Sequence, residues 1–371
     1  MPRDSDVPPG AAIGIRDIAR RLGVSVGTVD RALHDKRGIN PETRARVLLE
    51  AETVGYKPNL AARYLSSRNQ LQISAYLPER SSLFSEALRD GLREAAAPLA
   101  PSLRLVCRTH SDSRPADGWP APGPSRCNSG SIVASGQRLA VDPRREDTEA
   151  RNVPVAYIAD DAPDTALFSV SVDAFAVGAL AGELVGRCVS GSGEVAVVVD
   201  SAPTRAQTEQ LRGFVSSLSI FTHPLEVAAV IESHDDEQEM HRRVRDVLRA
   251  RPRLKGLFVG AGGCVPVLSA ARQAGRLPGL PIVVTDVSPE VFDSMHSGDV
   301  AATIYSRPLK QAHVALRLLY EYLQTRALPT KRRHVVVPYA VTRSNLPILL
   351  ERLEIARAAA RVDGAAHARL A

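Results

Sequence analysis

Residues 15 to 34 read IRDIARRLGVSVGTVDRALH and carry two apolar stripes at helical spacing. The stripes consist of Ile15, Ile18, Ala19 and Leu22, and of Val29, Ala32 and Leu33. Between them, Gly23 permits a turn with positive φ, and Ser25 is a good N-cap for a helix that starts at Val26. The pattern predicts a helix-turn-helix, although a helical hairpin of some other domain would show similar spacing.

A third helix follows, with Asn40 as its N-cap, Pro41 at its first position and Gly55 as its stop. Its predicted buried stripe is Ala45, Leu48, Ala51 and Val54. Three helices suffice for one small core, so we predict an all-α headpiece over residues 13–57. The polar, proline-rich residues 1–12 are expected to form a disordered tail.

The positive charge of the chain is concentrated near this headpiece. Residues 13–68 hold eleven Lys or Arg and six Asp or Glu, a net charge of +5, whereas all 371 residues carry +6. A merely solvated basic surface does not explain this concentration. Double-stranded DNA does, because a polyanion binds such a surface through counterion release, with a steep dependence on salt.

Residues 57–67, KPNLAARYLSS, predict a hinge helix within 58–68 that Asn59 caps. Helices this short are marginal in water. We therefore expect the hinge helix to form only when the protein is bound to a partner.

The segments GVSVGTVDRALH and INPETRARVLLEAETVGYKPNLAARYLSS resemble the headpiece and hinge of the lactose-repressor/galactose-repressor family of bacterial transcription regulators. The resemblance runs from Ile15 to Ser67. It implies a homodimer in which two hinge helices pack together on a roughly palindromic operator in double-stranded DNA.

By this resemblance, Val26, Gly27 and Arg31 contact base edges in the major groove. Since Val26 and Gly27 cannot hydrogen-bond through their side chains, Arg31 is expected to carry most of the direct readout, at guanine. The side chains expected to position phosphates are Ser25, Thr28 and His34. In the hinge, Leu65 is expected to wedge between base pairs in the minor groove, with Asn59 and Ala62 nearby.

The remainder of the chain alternates short β-rich runs with helices, which predicts parallel sheets covered on both faces. The predicted strands are 72–77, 153–159, 169–172, 194–199, 256–259, 281–285, 300–304 and 334–337. The predicted helices are 83–97, 174–187, 205–218, 266–274 and 309–323.

This part resembles the effector-binding core of the same family, an α/β fold of two lobes related to periplasmic sugar-binding proteins. We place the core at 69–350 and a C-terminal tail at 351–371. Lobe 1 is predicted over 69–173 and 305–333, and lobe 2 over 174–304 and 334–350.

Ligands of parallel sheets bind at the carboxyl ends of strands. The effector-binding candidates there are Ser81, Phe84, Asp173, Thr204, Arg205, Asp286, Ser306 and Arg307. Simpler roles exist for several of them: Asp173 and Asp286 as helix caps, Arg205 as a surface charge and Phe84 as a core residue. The resemblance implies a sugar or polyol effector, but Gln210 and Ser306 depart from the family pattern and leave its identity open.

One stretch, from about 108 to 151, does not fit this alternation. Four prolines fall between Pro115 and Pro124, around Trp119, and the strand, helix and strand expected for lobe 1 are not evident. A loop that long is improbable inside a compact domain. A true insertion, a disordered segment and a segment translated out of frame are the open alternatives.

Other patterns exclude several classes of protein. The four cysteines lack metal-ligand spacing, and neither a metal nor a cofactor is predicted. There is no apolar run of membrane-spanning length and no secretory leader, so we expect a cytoplasmic protein. The run Gly260-Ala261-Gly262-Gly263 misses the nucleotide-binding spacing and predicts a tight turn.

Two functions of different class are compatible with the sequence. The first is a ligand-responsive transcription regulator, which the resemblance implies is the repressor of a carbohydrate or polyol catabolic operon. The second is a sugar-binding or sugar-processing protein with an incidental helical extension. Since no nucleophile-base constellation is present, we expect a regulator and not an enzyme.

Overall fold

A computed structural model describes residues 15–33, 38–54, 70–78, 83–100, 102–110, 128–134, 153–159, 162–199, 205–232, 236–260, 263–285 and 287–353. The chain divides into two compact units that meet between Gln70 and Leu71. The predicted tail at 1–12, the predicted hinge helix at 58–68 and tail residues 354–371 lie outside the described residues.

The described residues of the first unit form three helices: α1 (Ile15–Leu22), α2 (Val26–Leu33) and α3 (Pro41–Thr53). Its core comprises Ile18, Ala19, Val29, Ala32, Val47 and Ala51. Gly23 has a φ of 66°, and the Asn40 side chain accepts a hydrogen bond from the Glu42 backbone N–H at 2.9 Å. The predicted turn and cap are therefore confirmed.

The stripe predicted for α3 was partly wrong. Leu48 is 43% exposed and Ala45 is also exposed, whereas Val47 is fully buried. Val47 and Ala51 stand one helical turn apart on the face that meets α1 and α2, and Leu48 lies about 100° further round the helix.

The second unit contains two six-stranded sheets with the same strand order. The first sheet runs β2-β1-β3-β4-β5-β11, and the second runs β7-β6-β8-β9-β10-β12. The strands of the first sheet are β1 (Leu71–Pro78), β2 (Leu103–His110), β3 (Asn128–Ala134), β4 (Val155–Ile158), β5 (Phe168–Val172) and β11 (Arg333–Val336). Those of the second are β6 (Gly193–Val199), β7 (Leu225–Glu232), β8 (Leu254–Val259), β9 (Ile282–Val284), β10 (Ala302–Tyr305) and β12 (Tyr339–Val341). All described pairings are parallel except β10 with β12, which confirms the predicted parallel sheets.

The helices that pack on these sheets are α4 (Leu83–Ala96), α5 (Ala174–Cys188), α6 (Arg205–Leu218), α7 (Glu237–Ala250), α8 (Val265–Gln273), α9 (Pro289–Ser297), α10 (Pro308–Thr325) and α11 (346–353). A short 3-10 helix, Ala97–Leu99, follows α4. Close contact between α5 and α6 depends on glycine. A Cβ at Gly182 would lie 2.6 Å from the Phe214 carbonyl oxygen, and a Cβ at Gly213 would collide with the Phe175 carbonyl.

The chain crosses between the two sheets three times, after Val172, after Tyr305 and after Val336. We predicted that lobe 2 resumes at residue 334, but β11 belongs to the first sheet. It pairs in parallel with β5, with His334 opposite Val170. The last crossing is therefore at residues 337–338. The predicted boundary was wrong because the lobe of this segment depends on its backbone pairing with β5, which a single sequence does not reveal.

Part of the irregular stretch from 108 to 151 is a central strand. β3 pairs in parallel with both β1 and β4, and Ile132 and Val133 are fully buried. One of the strands that were not evident in the sequence is therefore present at these residues. Their short apolar run between serines lacked the length that marks the other central strands. Residues 111–127 and 135–152 lie outside the described residues.

Candidate functional site

The start of α2 presents two hydroxyl groups. The Ser25 Oγ accepts a hydrogen bond from the Thr28 backbone N–H at 3.0 Å and lies 2.8 Å from the Thr28 Oγ1. This is the predicted N-cap, which satisfies one of the free N–H groups of the first turn. Because the helix starts at the tight turn through Gly23, its first residues are held at the surface.

The outer face of α2 is open. Val26 is 43% exposed, and Gly27 and Arg31 are also exposed. The Arg31 guanidinium lies over Gly27, where a Cβ would be 3.6 Å from its Nη2, and its Nη1 donates to the Gly38 carbonyl at 3.5 Å. That hydrogen bond is long and therefore weak, so the guanidinium can exchange it for another acceptor.

The structure thus brings Ser25, Val26, Gly27 and Thr28 together at the start of α2, and the guanidinium of Arg31 reaches them from the last turn of the same helix. Their contacts with DNA stay a prediction. The other predicted DNA-binding residues, His34, Asn59, Ala62 and Leu65, lie outside the described residues.

Two effector candidates begin helices of lobe 2. Asp173 follows β5, and its Oδ1 accepts a hydrogen bond from the Ala176 backbone N–H at 3.0 Å, so it caps α5. Arg205 is the first residue of α6 and is exposed. Phe84, at the start of α4, is half-buried and packs against the core of lobe 1. Ser81, Thr204 and Asp286 lie outside the described residues.

The remaining candidates lie where the chain crosses from β10 to α10. The Ser306 carbonyl accepts a hydrogen bond from the Gln311 Nε2 at 2.7 Å. Arg307 has left-handed backbone angles, φ 58° and ψ 57°. Its guanidinium carbon lies 4.0 Å from the centre of the Tyr339 ring, and its Nη1 donates to the Val337 carbonyl at 3.3 Å. Arg307 therefore links the second crossing, which follows Tyr305, to the third, which follows Val336.

One residue that we did not propose as a ligand also reaches the carboxyl end of a strand. The Gln210 side chain of α6 reaches the carboxyl end of β8, where a Cβ at Gly260 would lie 3.1 Å from its Oε1. The sequence marked Gln210 only as a departure from a family pattern. The signal that could have found it is the glycine directly after a buried strand, which leaves room for a side chain from another element.

None of the described helices is both long and apolar enough to cross a membrane. The described residues also contain no group of three His, Cys, Asp or Glu side chains that could hold a metal ion.

Comparison with known families agrees with this architecture. The family model described as "Periplasmic binding protein domain" matches residues 132–327, and the one described as "Bacterial regulatory proteins, lacI family" matches residues 14–59. The second match contains all three helices of the first unit.

Individual proteins resemble most of the chain. The HTH-type transcriptional regulator DegA of Bacillus subtilis is 24% identical over 303 residues, which cover 80% of this chain and 87% of DegA. Catabolite control protein A of Streptococcus mutans is 24% identical over 300 residues, covering 80% of this chain and 84% of that protein. Among solved structures, the glucose-galactose binding protein GanP of Geobacillus stearothermophilus superposes with a TM-score of 0.64 at 20% identity, covering 75% of this chain and 99% of GanP.

Proposed function

We propose that this chain, which belongs to the lacI family of bacterial regulatory proteins and has a periplasmic binding protein domain as its core, is a ligand-responsive transcription regulator. It acts as a cytoplasmic homodimer that represses a carbohydrate or polyol catabolic operon. The regulatory names of DegA and catabolite control protein A, each of which matches 80% of the chain, support this function.

The observation that carries the DNA-binding part is the exposed face of α2. It stands on a unit that holds most of the net charge of the chain, and it presents one long cationic side chain, Arg31, beside two residues without polar side-chain atoms, Val26 and Gly27. A guanidinium can donate two hydrogen bonds to the O6 and N7 of guanine. The hydroxyls of Ser25 and Thr28, at the start of the same helix, suit phosphate oxygens.

The effector part of the proposal concerns the second unit. Ligands of parallel sheets bind at the carboxyl ends of strands. Asp173 and Arg205 lie after the carboxyl ends of β5 and β6, and the Gln210 side chain reaches the carboxyl end of β8. Carboxylate, guanidinium and amide groups suit the hydroxyls of a sugar or polyol. Since both lobes would contact the effector, its binding changes their relative pose, and this change must couple reciprocally to DNA affinity.

We also infer that the protein acts by binding and not by catalysis. The two relatives that match 80% of the chain carry the names of regulators, and GanP, a solved structure similar to the core, carries the name of a binding protein.

A gel-shift assay with the DNA upstream of the protein's own gene tests the DNA-binding part. Binding should weaken steeply as salt is raised. Arg31→Ala should lose about 1 to 3 kcal/mol, roughly 5- to 150-fold in affinity, and should relax specificity at one base pair. Arg187→Ala is the matched control, because it removes the same charge from an exposed position of the second unit. Equal binding by Arg31→Ala and the control would contradict the proposed role of α2.

A thermal-shift screen of the full chain against sugars and polyols tests the effector part. An effector should raise the melting temperature and should change DNA affinity over the same concentration range. Asp173→Asn is the sharpest variant, since Asn caps a helix as well as Asp does but lacks the charge. It should keep its unliganded melting temperature and lose effector affinity. If no compound alters either stability or DNA binding, the effector part fails, while the DNA-binding part stands on its own test.

A further inference from the structure

A cavity of about 700 Å³ lies where the chain crosses between the lobes. Its lining includes residues from the first turns of α10, from β12 and from α11. Asp173, Arg205 and Gln210 are not among its lining residues. The cavity is thus separate from the effector site proposed at these three residues, although its lining includes Arg307, another effector candidate from the sequence.

Much of the cavity wall is apolar and open to solvent. Ile348 of α11 is 57% exposed and Tyr339 of β12 is 44% exposed, and Leu180, Leu309 and Pro338 complete this part of the lining. Large apolar side chains that cluster at an exposed cavity mark a binding surface more often than scattered ones do.

The charged lining residues are mostly basic. Arg307, Lys310 and Arg352 face one carboxylate, Glu94, whose Oε2 lies 3.1 Å from the His313 Nε2. Glu94 therefore already has a partner, and the three cations leave a positive excess. Such an excess beside an apolar wall suits an anion with an apolar body.

A buried hydroxyl group on the same wall is unsatisfied. Tyr305 is 6% exposed, and its hydroxyl has no hydrogen-bond partner among the described residues. Burial raises the pKa of Tyr305 to about 12, so the phenol keeps its proton at neutral pH and can donate. A buried donor left unpaired destabilises the folded chain, and an acceptor on a ligand would remove that penalty.

We propose that this cavity is a second ligand site, which binds a small carboxylate with an apolar body. The carboxylate pairs with Lys310 and Arg352, the body packs against Leu180 and Ile348, and the Tyr305 hydroxyl donates to the ligand. Because α10 packs on the first sheet while β12 belongs to the second, the ligand contacts both lobes and provides an input separate from the sugar or polyol effector.

Titration calorimetry of the full chain with phenylacetate and octanoate tests the site. Both should bind, and phenylacetamide, the neutral analogue of phenylacetate, should bind at least tenfold more weakly. Lys310→Ala and Arg352→Ala, both at exposed positions, should each weaken phenylacetate binding by fivefold or more. Tyr305→Phe should weaken it about threefold or more while leaving the melting temperature of the free protein unchanged or higher.

Two controls separate this site from the rest of the molecule. Arg187→Ala, which removes a distant charge, and Asp173→Asn, which alters the proposed effector site, should both bind phenylacetate as the parent chain does. The proposal is overturned if neither carboxylate binds, if phenylacetamide binds as tightly as phenylacetate, or if the Lys310 and Arg352 variants match the Arg187 control. None of these outcomes bears on DNA binding by α2.

Discussion

The two lobes share one strand order but differ in what covers their sheets. In lobe 2, a described helix follows each of β6, β7, β8, β9 and β10. Both faces of its sheet are buried against helices, by α5 and α6 on one side and α7, α8 and α9 on the other. In lobe 1, α4 and α10 pack on one face.

The other face of the lobe 1 sheet is buried without any described helix. Its cluster comprises Tyr76, Val133, Val155, Tyr157 and Ala166, and none of these residues belongs to a helix. In chain order, the segments 111–127 and 135–152 correspond to α7 and α8 of lobe 2, and both segments lie outside the described residues. Among the described residues, the same strand order thus occurs in one sheet that helices bury on both faces and in one sheet that helices cover on a single face.

The largest expected effect is that of Phe258→Ala in lobe 2. Phe258 is 1% exposed, and its ring stacks on Phe214 with centroids 5.3 Å apart. Its truncation should lower the free energy of unfolding by about 4 kcal/mol. The truncation leaves a cavity between the sheet and α6, and neither element can move far enough to fill it. Urea denaturation followed by circular dichroism measures it. Phe258→Leu, which keeps most of the volume, should cost less than about 1.5 kcal/mol.

Gly213→Ala probes the helix layer that distinguishes lobe 2. The new Cβ would meet the Phe175 carbonyl, so α5 and α6 must move apart. We expect a loss of about 3 kcal/mol in the free energy of unfolding, at the upper end for overpacking. Gly279→Ala is the control, since its Cβ would lie at an ordinary 3.6 Å from the Arg276 carbonyl oxygen. Equal unfolding midpoints for the two variants would show that the close packing does not limit stability.

Val133→Ala tests the face of the lobe 1 sheet on which no described helix packs. Val133 is fully buried between strands, as is Val197 in lobe 2. The loss of two methyl groups plus a residual cavity should cost about 2 kcal/mol at either position. The same denaturation measurement compares Val133→Ala with Val197→Ala. A cost below about 0.5 kcal/mol for Val133→Ala alone would mean that the lobe 1 face is open to water.

The smallest effect concerns the surface of α7, which has no described counterpart in lobe 1. Hydrogen bonds from Arg242 and Arg243 lower the pKa of Glu239 from 4.5 to about 2. The ionised carboxylate is thus favoured in the folded chain, and its contribution to stability is present above pH 4.5 and lost as the pH falls toward 2. The urea midpoint of Glu239→Gln should fall slightly below that of the parent chain at pH 6 and match it at pH 2. Since Glu239 is at the surface, 1 M salt should shrink the difference, and a difference that persists at pH 2 would contradict this explanation.

Local signals predicted much of this fold. The helix predicted at 205–218 has those bounds, and the turn at Gly23 and the caps at Ser25, Asn40 and Asp173 depend on neighbouring residues alone. We gave no bounds for α7, because only Met240, Val244 and Leu248 are apolar and buried along a highly charged helix. We missed β7 because an edge strand with partly exposed residues lacks the continuous apolar run of a central one.

The site was less predictable because it depends on contacts between distant residues. Nothing near Arg307 in the sequence indicates that Tyr339 lies under its guanidinium, since only the crossings bring them together. The reach of Gln210 to Gly260 likewise depends on how α6 packs beside β8. By contrast, the face of α2 could be predicted, because every residue on it follows from one helix and one turn.

The three crossings also govern the order in which the molecule can assemble during synthesis. The helical unit has all its core residues once Ala51 has emerged from the ribosome. The first sheet, by contrast, lacks its edge strand β11 until Val336 has emerged, and the second lacks its edge strand β12 until Val341 has emerged. At bacterial translation rates that interval is roughly 15 to 60 s. Within it, β5 lacks its partner β11 and, once it is made, β10 lacks its partner β12, and such an unpaired edge is the kind of surface on which chains aggregate. A chaperone that shields nascent β edges should therefore raise the soluble yield of the second unit far more than that of the first.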